Sequence, residues 1–276
     1  YMLVMECGEE GDMRNYLRVN NQDLSWSEKI YLLRDTASAL SVLHQREFVH
    51  GDLHTGNILK KSTKPSLLNR LGMTDGHKRM CIVDLPLSYV STQLFGVIPY
   101  VAPEVFINGY HTKASDVYSF GMVMWELAVG LTPYHDYAHD KDLIDDICRG
   151  VRPDIESIIP QFYVDLMTQC WDPEPLKRPS AHMIKASIEG WISALKKSSI
   201  MSSKLQQSIL SQIKSSDELN KKSFKRQTRM NSLVSSTPTI AATFHSQNLG
   251  DILTLDGRST TSSRKSSNFS SSSYRH

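Results

Sequence analysis

HGDLHTGNIL, residues 50–59, sets two histidines, two glycines, an aspartate and an asparagine between the apolar pairs Phe48-Val49 and Ile58-Leu59. A polar island between two apolar runs needs a chemical reason. Asp52 and Asn57 stand five residues apart, and a third oxygen-bearing side chain, Asp84, closes the short apolar run Met80-Cys81-Ile82-Val83. Carboxylate and amide oxygens are the ligands of a hard cation such as Mg²⁺, and a carboxylate can also accept the proton of a reacting hydroxyl. On these three residues alone, a turn rich in Asx side chains is an equally good reading.

The pattern on either side is that of a mixed fold. Upstream, Ser25-Trp26-Ser27-Glu28 has the spacing of a capping box, and Trp26, Ile30, Leu33, Ala37 and Leu40 form the stripe of an amphipathic helix running to about His44. Before it, YMLVMEC reads as a buried strand, GEEGD as its break and MRNYLRV as a short helix. Downstream, Ile58-Leu59 and residues 80–83 are short β-like runs around a polar insertion at 62–78. Residues 117–131, VYSFGMVMWELAVGL, are apolar almost all round, which suits a helix buried in a domain core, with Asp116 as a candidate N-cap. Further helices are expected at 143–148, 161–170 and 182–195, punctuated by prolines.

Bulk properties narrow the classes. With 40% hydrophobic residues in 276, the chain can bury a real core. A net charge of +2 gives no cause to expect nucleic acid or an anionic membrane surface as partner. No apolar run reaches the length of a membrane span, and no charged-then-apolar leader is present. The four cysteines, Cys7, Cys81, Cys148 and Cys170, lie far apart, which fits buried thiols in a reducing, cytoplasmic compartment. Beyond about residue 197 serine becomes very frequent and aromatics thin out. A few helical turns through Ile200, Leu205, Ile209 and Ile213 are expected there, then disorder from Ser215 to His276, with KRQT and RKSS as candidate phosphorylation sites.

The order of the short motifs resembles that of one family. VHGDLHTGNIL is similar to the catalytic loop of eukaryotic protein kinases, VDLP at 83–86 to the metal-binding segment, and YVAPE at 100–104 to the close of the activation segment. DVYSFGMVMWEL resembles the family's central helix and CWDPEPLKRPS its closing motif. The chain is therefore identified with the tyrosine-kinase-like group. The expected fold is α+β, a mainly helical C-terminal lobe at 1–196 followed by a Ser-rich basic tail at 197–276. The resemblance implies ATP and Mg²⁺, a protein substrate, and signalling partners reached through the tail. It makes Asp52 the residue that orients or deprotonates the acceptor hydroxyl, with His54 beside it, and Asn57 and Asp84 the Mg²⁺ ligands. It puts Met5, Glu6 and Gly8 at the hinge against adenine and Leu59 beneath it. Glu104 and Arg178 become a buried ion pair, and Asp116 an acceptor for catalytic-loop amides.

The sequence also departs from the family. Gly51 replaces an arginine that pairs with phosphorylated activation loops, His54 replaces a lysine, Leu85-Pro86 replaces Phe-Gly, and Val97 stands where Ser/Thr kinases carry threonine. Tyr100, where tyrosine kinases carry tryptophan, favours Ser/Thr specificity. The glycine-rich loop and strand-three lysine do not occur in the sequence, and its mid-strand opening suggests a fragment. Two functions follow from these features, an active kinase or a pseudokinase scaffold that binds partners without transfer.

Overall fold

A computed structural model of the chain describes residues 11–61, 79–84, 95–196, 203–231 and 246–254. The YMLVMEC strand with Met5, Glu6 and Gly8, the 62–78 insertion, Leu85-Pro86 and the hydroxyl residues at 88–92 lie outside them. So do the RKSS site and the side chains of KRQT.

Helix α1 (Met13–Asn20) begins where the Asp12 carboxylate accepts the Asn15 amide at 2.7 Å. Helix α2 (Trp26–Gln45) begins at a reciprocal capping box: Ser25 Oγ accepts the Glu28 amide, and Glu28 Oε2 accepts the Ser25 amide. Its stripe of Trp26, Ile30, Leu33, Ala37 and Leu40 is fully buried. Strands β1 (Ile58–Lys61) and β2 (Arg79–Ile82) pair antiparallel, Ile58 opposite Ile82 and Leu59 opposite Cys81. They form a hairpin laid against α2.

At the centre lies α4 (Lys113–Val129), preceded by the short α3 (Pro103–Asn108). Every α4 residue from Ser115 to Ala128 is buried, as its apolar sequence requires. Its N-cap is Thr112 rather than Asp116: Thr112 Oγ1 accepts the Ser115 amide, and Ser115 Oγ accepts the Thr112 amide. Asp116 falls in the first turn, where its carboxylate is released for a tertiary role. Helix α5 (Lys141–Cys148) packs on α3, α6 (Gln161–Cys170) on α4, and α7 (Ala181–Lys196) on α2. Helix α6 comes so close that a Cβ on Gly121 would stand 3.0 Å from Cys170 Cβ, and only glycine permits that approach. Trp26 meets Tyr163 edge-on at 5.2 Å, and Phe162 meets Trp191 at 4.9 Å, tying α2, α6 and α7 into one core.

The expectation of disorder from Ser215 onward is not met in the described part of the tail. Helix α8 (Lys204–Asn231) continues well past Ser215 and packs on α7 and α2 through the buried Ile209 and Ile213. Asp217 accepts the Trp26 amide at 2.9 Å and so satisfies an orphan N–H of α2. The composition of the tail hides a sparse apolar stripe that is worthless to an isolated helix but has a groove waiting for it. Farther on, β3 (Phe95–Gly96), which precedes α3, pairs antiparallel with β4 (Gln247–Asn248), and the short α9 (Leu249–Thr254) follows with Leu249 completely buried.

Candidate active site

The loop at 50–57 is suspended from two carboxylates of α4. Asp116 Oδ2 accepts the His50 amide at 2.7 Å and Oδ1 the Gly51 amide at 2.8 Å, while His44 Nε2 approaches Oδ2 at 2.9 Å. Three donors converge on this one buried carboxylate, which is how such a group is tolerated in the interior. Gly51 turns through φ +75°, a conformation that glycine adopts without penalty, and the His111 ring lies beside it. A Cβ at residue 51 would stand 3.3 Å from His111 Cγ. Burial lowers the His111 pKa, and its Nε2 meets the Phe95 carbonyl at 3.2 Å.

Ten residues further along α4, Glu126 anchors the other end of the loop. Its carboxylate accepts Thr55 Oγ1 at 2.8 Å and the Tyr100 hydroxyl, with Arg14 Nε at 3.8 Å. Burial raises the Glu126 pKa, and the Arg14 charge and the two hydroxyl donors oppose that rise. Arg14 also donates to Thr55 Oγ1 at 3.2 Å. Thus α1, the loop and the segment ahead of α3 meet on one buried carboxylate.

Between these anchors the loop is cross-linked to the strand end that carries Asp84. The Asp52 amide donates to His50 Nδ1 at 3.2 Å, so Nδ1 is the unprotonated nitrogen and Nε2–H donates to the Val83 carbonyl at 2.9 Å. The Val83 amide donates back to the Asn57 carbonyl at 3.0 Å. Asp84 then takes φ +58°, an uncommon conformation for a residue with a side chain and one most often accepted by Asp and Asn.

Asp52, Asn57 and Asp84 line one cleft of about 430 Å³, together with Asp12, Arg14, Asn15, His54, Gly56 and Ser246. Asn57 Nδ2 donates to the Asp52 carbonyl at 2.9 Å and to Oδ2 at 3.4 Å, which leaves its amide oxygen available to a cation. Burial raises the Asp52 pKa, and the neighbouring Ser246 hydroxyl, the His50 and His111 rings and the Asn57 amide oppose the rise. Asp52 Oδ1 is buried and accepts no hydrogen bond among the described residues. His54 is not an exposed loop residue: it is buried, Nδ1 accepts the Gly56 amide at 3.0 Å, and Nε2 stands 3.7 Å from Asp52 Oδ1.

Leu59 lies apart from this cleft. It is half-buried on β1 and bridged to Asp12, beside the chain that emerges from residues 1–10. Glu104 and Arg178 are also remote from it and form a two-pronged ion pair at 2.6 and 2.9 Å. Arg178 further donates to the carbonyls of Asp172 and Ala114, each at 2.9 Å, so its buried guanidinium is well satisfied. Sequence reasoning missed Glu126, Arg14 and Ser246. Glu126 is the only acidic residue within the apolar run at 117–131, and that isolation was a readable signal. Arg14 and Ser246 carried none, because both reach the cleft through tertiary packing.

Comparison with known proteins agrees with this arrangement. The profile described as protein tyrosine and serine/threonine kinase matches residues 1–188. The chain is 30% identical over 202 residues to the probable serine/threonine-protein kinase drkD of Dictyostelium discoideum, covering 71% of this chain and 14% of that protein. It is 28% identical over 186 residues to the dual specificity protein kinase zakA of the same organism, covering 65% of this chain and 24% of that one. A protein kinase and PP2C-like domain-containing protein of Arabidopsis thaliana is 25% identical over 215 residues, 68% of this chain and 33% of its own length. The chain thus spans a third or less of each of these relatives.

Proposed function

The chain belongs to the protein tyrosine and serine/threonine kinase family, and from that premise we propose that it transfers the γ-phosphoryl group of ATP to serine or threonine hydroxyls of proteins. The observation that carries this reading is the convergence of Asp52, Asn57 and Asp84 on one cleft, with Asp52 Oδ1 buried and accepting no hydrogen bond. Phosphoryl transfer asks little covalent chemistry of a protein and much alignment. Asp52 orients the acceptor hydroxyl and takes up its proton. The two anchors on α4 hold the loop so that this carboxylate does not drift, and His50 ties the position of Asp52 to that of Asp84.

The donors present suit Mg²⁺. Among the described residues no three His, Cys, Asp or Glu side chains form a cage. A site of one carboxylate and one amide oxygen, Asp84 and Asn57, matches an ion that keeps water and phosphate oxygens for its other positions. Asp84 and Asn57 would hold Mg²⁺ there, and the ion would supply charge neutralisation at the phosphates. His54 and Arg14 flank the cleft and complement its anionic occupant. Met5, Glu6, Gly8 and Leu59 form the adenine side in this reading. Glu104–Arg178 fastens the segment leading to α3 against the lobe, which takes in residues 1–196. Serine/threonine specificity rests on Tyr100 and on the named activities of the relatives. The scattered cysteines favour a reducing interior, and among the described residues no helix is long and apolar enough to cross a membrane.

The test is transfer of labelled γ-phosphate from Mg-ATP to a generic Ser/Thr protein substrate by the full-length protein and by its Asp52→Asn variant. The expected result is transfer that falls about 10²–10⁴-fold in the variant, the usual contribution of a positioned base. Undiminished transfer in the variant would remove Asp52 from the role. No transfer from a folded, ATP-binding protein would return the chain to the scaffold reading.

A further inference from the structure

The tail segment 246–254 docks on β3 in the manner of a bound peptide, with Ser246 at the cleft. Gln247 and Asn248 add a strand to Phe95-Gly96, Gln247 opposite Gly96 and Asn248 opposite Phe95. Strand addition of this kind is a common way for a protein to take up an extended peptide, backbone bonds supplying affinity and one side-chain pocket the register. The pocket here receives Leu249, which has no exposed surface and packs against Gly96 and the β3 strand. A Cβ on Gly96 would stand 2.7 Å from Val101 Cγ2, too close to be tolerated, and 3.5 Å from Leu249 Cδ1, an ordinary contact, so Val101 demands the glycine and the leucine packs directly over it. Asn248 Oδ1 accepts the Gly250 amide at 3.0 Å and turns the chain into α9 directly after the strand.

The consequence of this register is the position of Ser246. One residue before the strand, it is exposed and lines the cleft with Asp52, Asn57 and Asp84. The tail has many serines, yet the described part of the chain brings this hydroxyl to Asp52. We propose that Ser246 is an intramolecular phosphoacceptor, presented to Asp52 by the Gln247–Leu249 strap. The proposal rests on the kinase reading. In the step, Ser246 Oγ bonds to the γ-phosphorus of ATP, the bond from that phosphorus to the β,γ-bridging oxygen breaks, and ADP departs with the electron pair. The hydroxyl proton passes to Asp52. The product is a phosphoserine beside a carboxylate, and repulsion between the two loosens the strap and opens the cleft to other substrates.

The test incubates the full-length protein with Mg-ATP over a hundredfold range of protein concentration, beside a generic Ser/Thr protein substrate, and maps phosphate by mass spectrometry. The expected result is modification of Ser246 at a fractional rate independent of protein concentration. In Leu249→Asp, which unseats the strap, that rate falls at least tenfold while transfer to the generic substrate is kept or rises. Hydrogen exchange at the Gly96 and Asn248 amides, faster in the variant and faster after phosphorylation, reads the docking without using activity. Transfer to the generic substrate with Ser246 unmodified overturns the proposal and leaves the kinase reading intact, as does a Ser246 rate that climbs with concentration. Absence of transfer to either target overturns both.

Discussion

Two stretches beyond residue 196 meet the lobe, and they do so by different physics. Helix α8 docks two buried isoleucines, Ile209 and Ile213, into the groove between α7 and α2, and its Asp217 accepts the first amide of α2. The strap at 246–254 has a two-residue ladder and a single completely buried leucine. The first contact is apolar area joined to a helix cap, so α8 opens when the lobe opens. The second is a small local unit whose opening exposes little, so it can leave and return while the lobe stays folded. Stability is thus distributed where the fold needs permanence, and a weak attachment is left where an acceptor must exchange.

The sharpest way to break this contrast is a pair of truncations. Ile213→Ala should lower the global unfolding free energy by about 2–5 kcal/mol, the usual result for a large-to-small change in a core. Leu249→Ala, although its side chain is equally buried, should lower it by less than about 1 kcal/mol, because the strap has already opened before the lobe unfolds. Urea melts followed by circular dichroism measure both, and equal losses would mean that strap and lobe unfold as one.

A pH series probes the α8 side further. Lys29 is buried with Nζ donating to the Ala128 carbonyl at 2.8 Å, and burial lowers its pKa to about 8, an effect opposed by the charges of Asp217 and Glu156. Unfolded, the amine keeps its proton to about pH 10.4; folded, it releases it above about 8. Between those values the unfolded chain binds more protons, so stability rises with pH, by at most about 1.4 kcal/mol per unit. Lys29→Met should lose that rise, and urea melts of the two proteins at pH 8 and 9.5 compare the slopes. A slope that persists in the variant would assign the effect to another group.

The smallest expected change belongs to Asp217. Asp217→Ala removes the acceptor for the Trp26 amide and should cost about 0.5–2 kcal/mol, the range for a lost helix cap. Differential scanning calorimetry of the variant reads it as a lower melting temperature. A loss confined to α8 exchange, with α2 unaffected, would show that the contact serves the tail helix rather than the lobe.

Much of the fold was legible because its signals are local. The capping box at Ser25, the stripe from Trp26 to Leu40 and the apolar run at 117–131 each state a helix within about four turns of chain, and the helices lie there. The N-cap of α4 was misread because Thr112 and Asp116 are both good caps, and only the demand of the His50 and Gly51 amides, more than sixty residues away, claims Asp116 for another task. The tail was misread because average composition discards the two isoleucines that matter. For the site, residue type and spacing named Asp52, Asn57 and Asp84, since oxygen ligands in an apolar setting need a reason. Glu126 with Thr55, Tyr100 and Arg14, the buried His54, and Ser246 at the Asp52 carboxylate were decided by tertiary structure alone. The sequence by itself determined which side chains could do chemistry and where the lobe's long helices lie, because those depend on residue type and near neighbours. Which carboxylate is buried, which donor reaches it and which serine faces it depend on packing between segments as much as two hundred residues apart, and only the folded chain brings those groups within bonding distance.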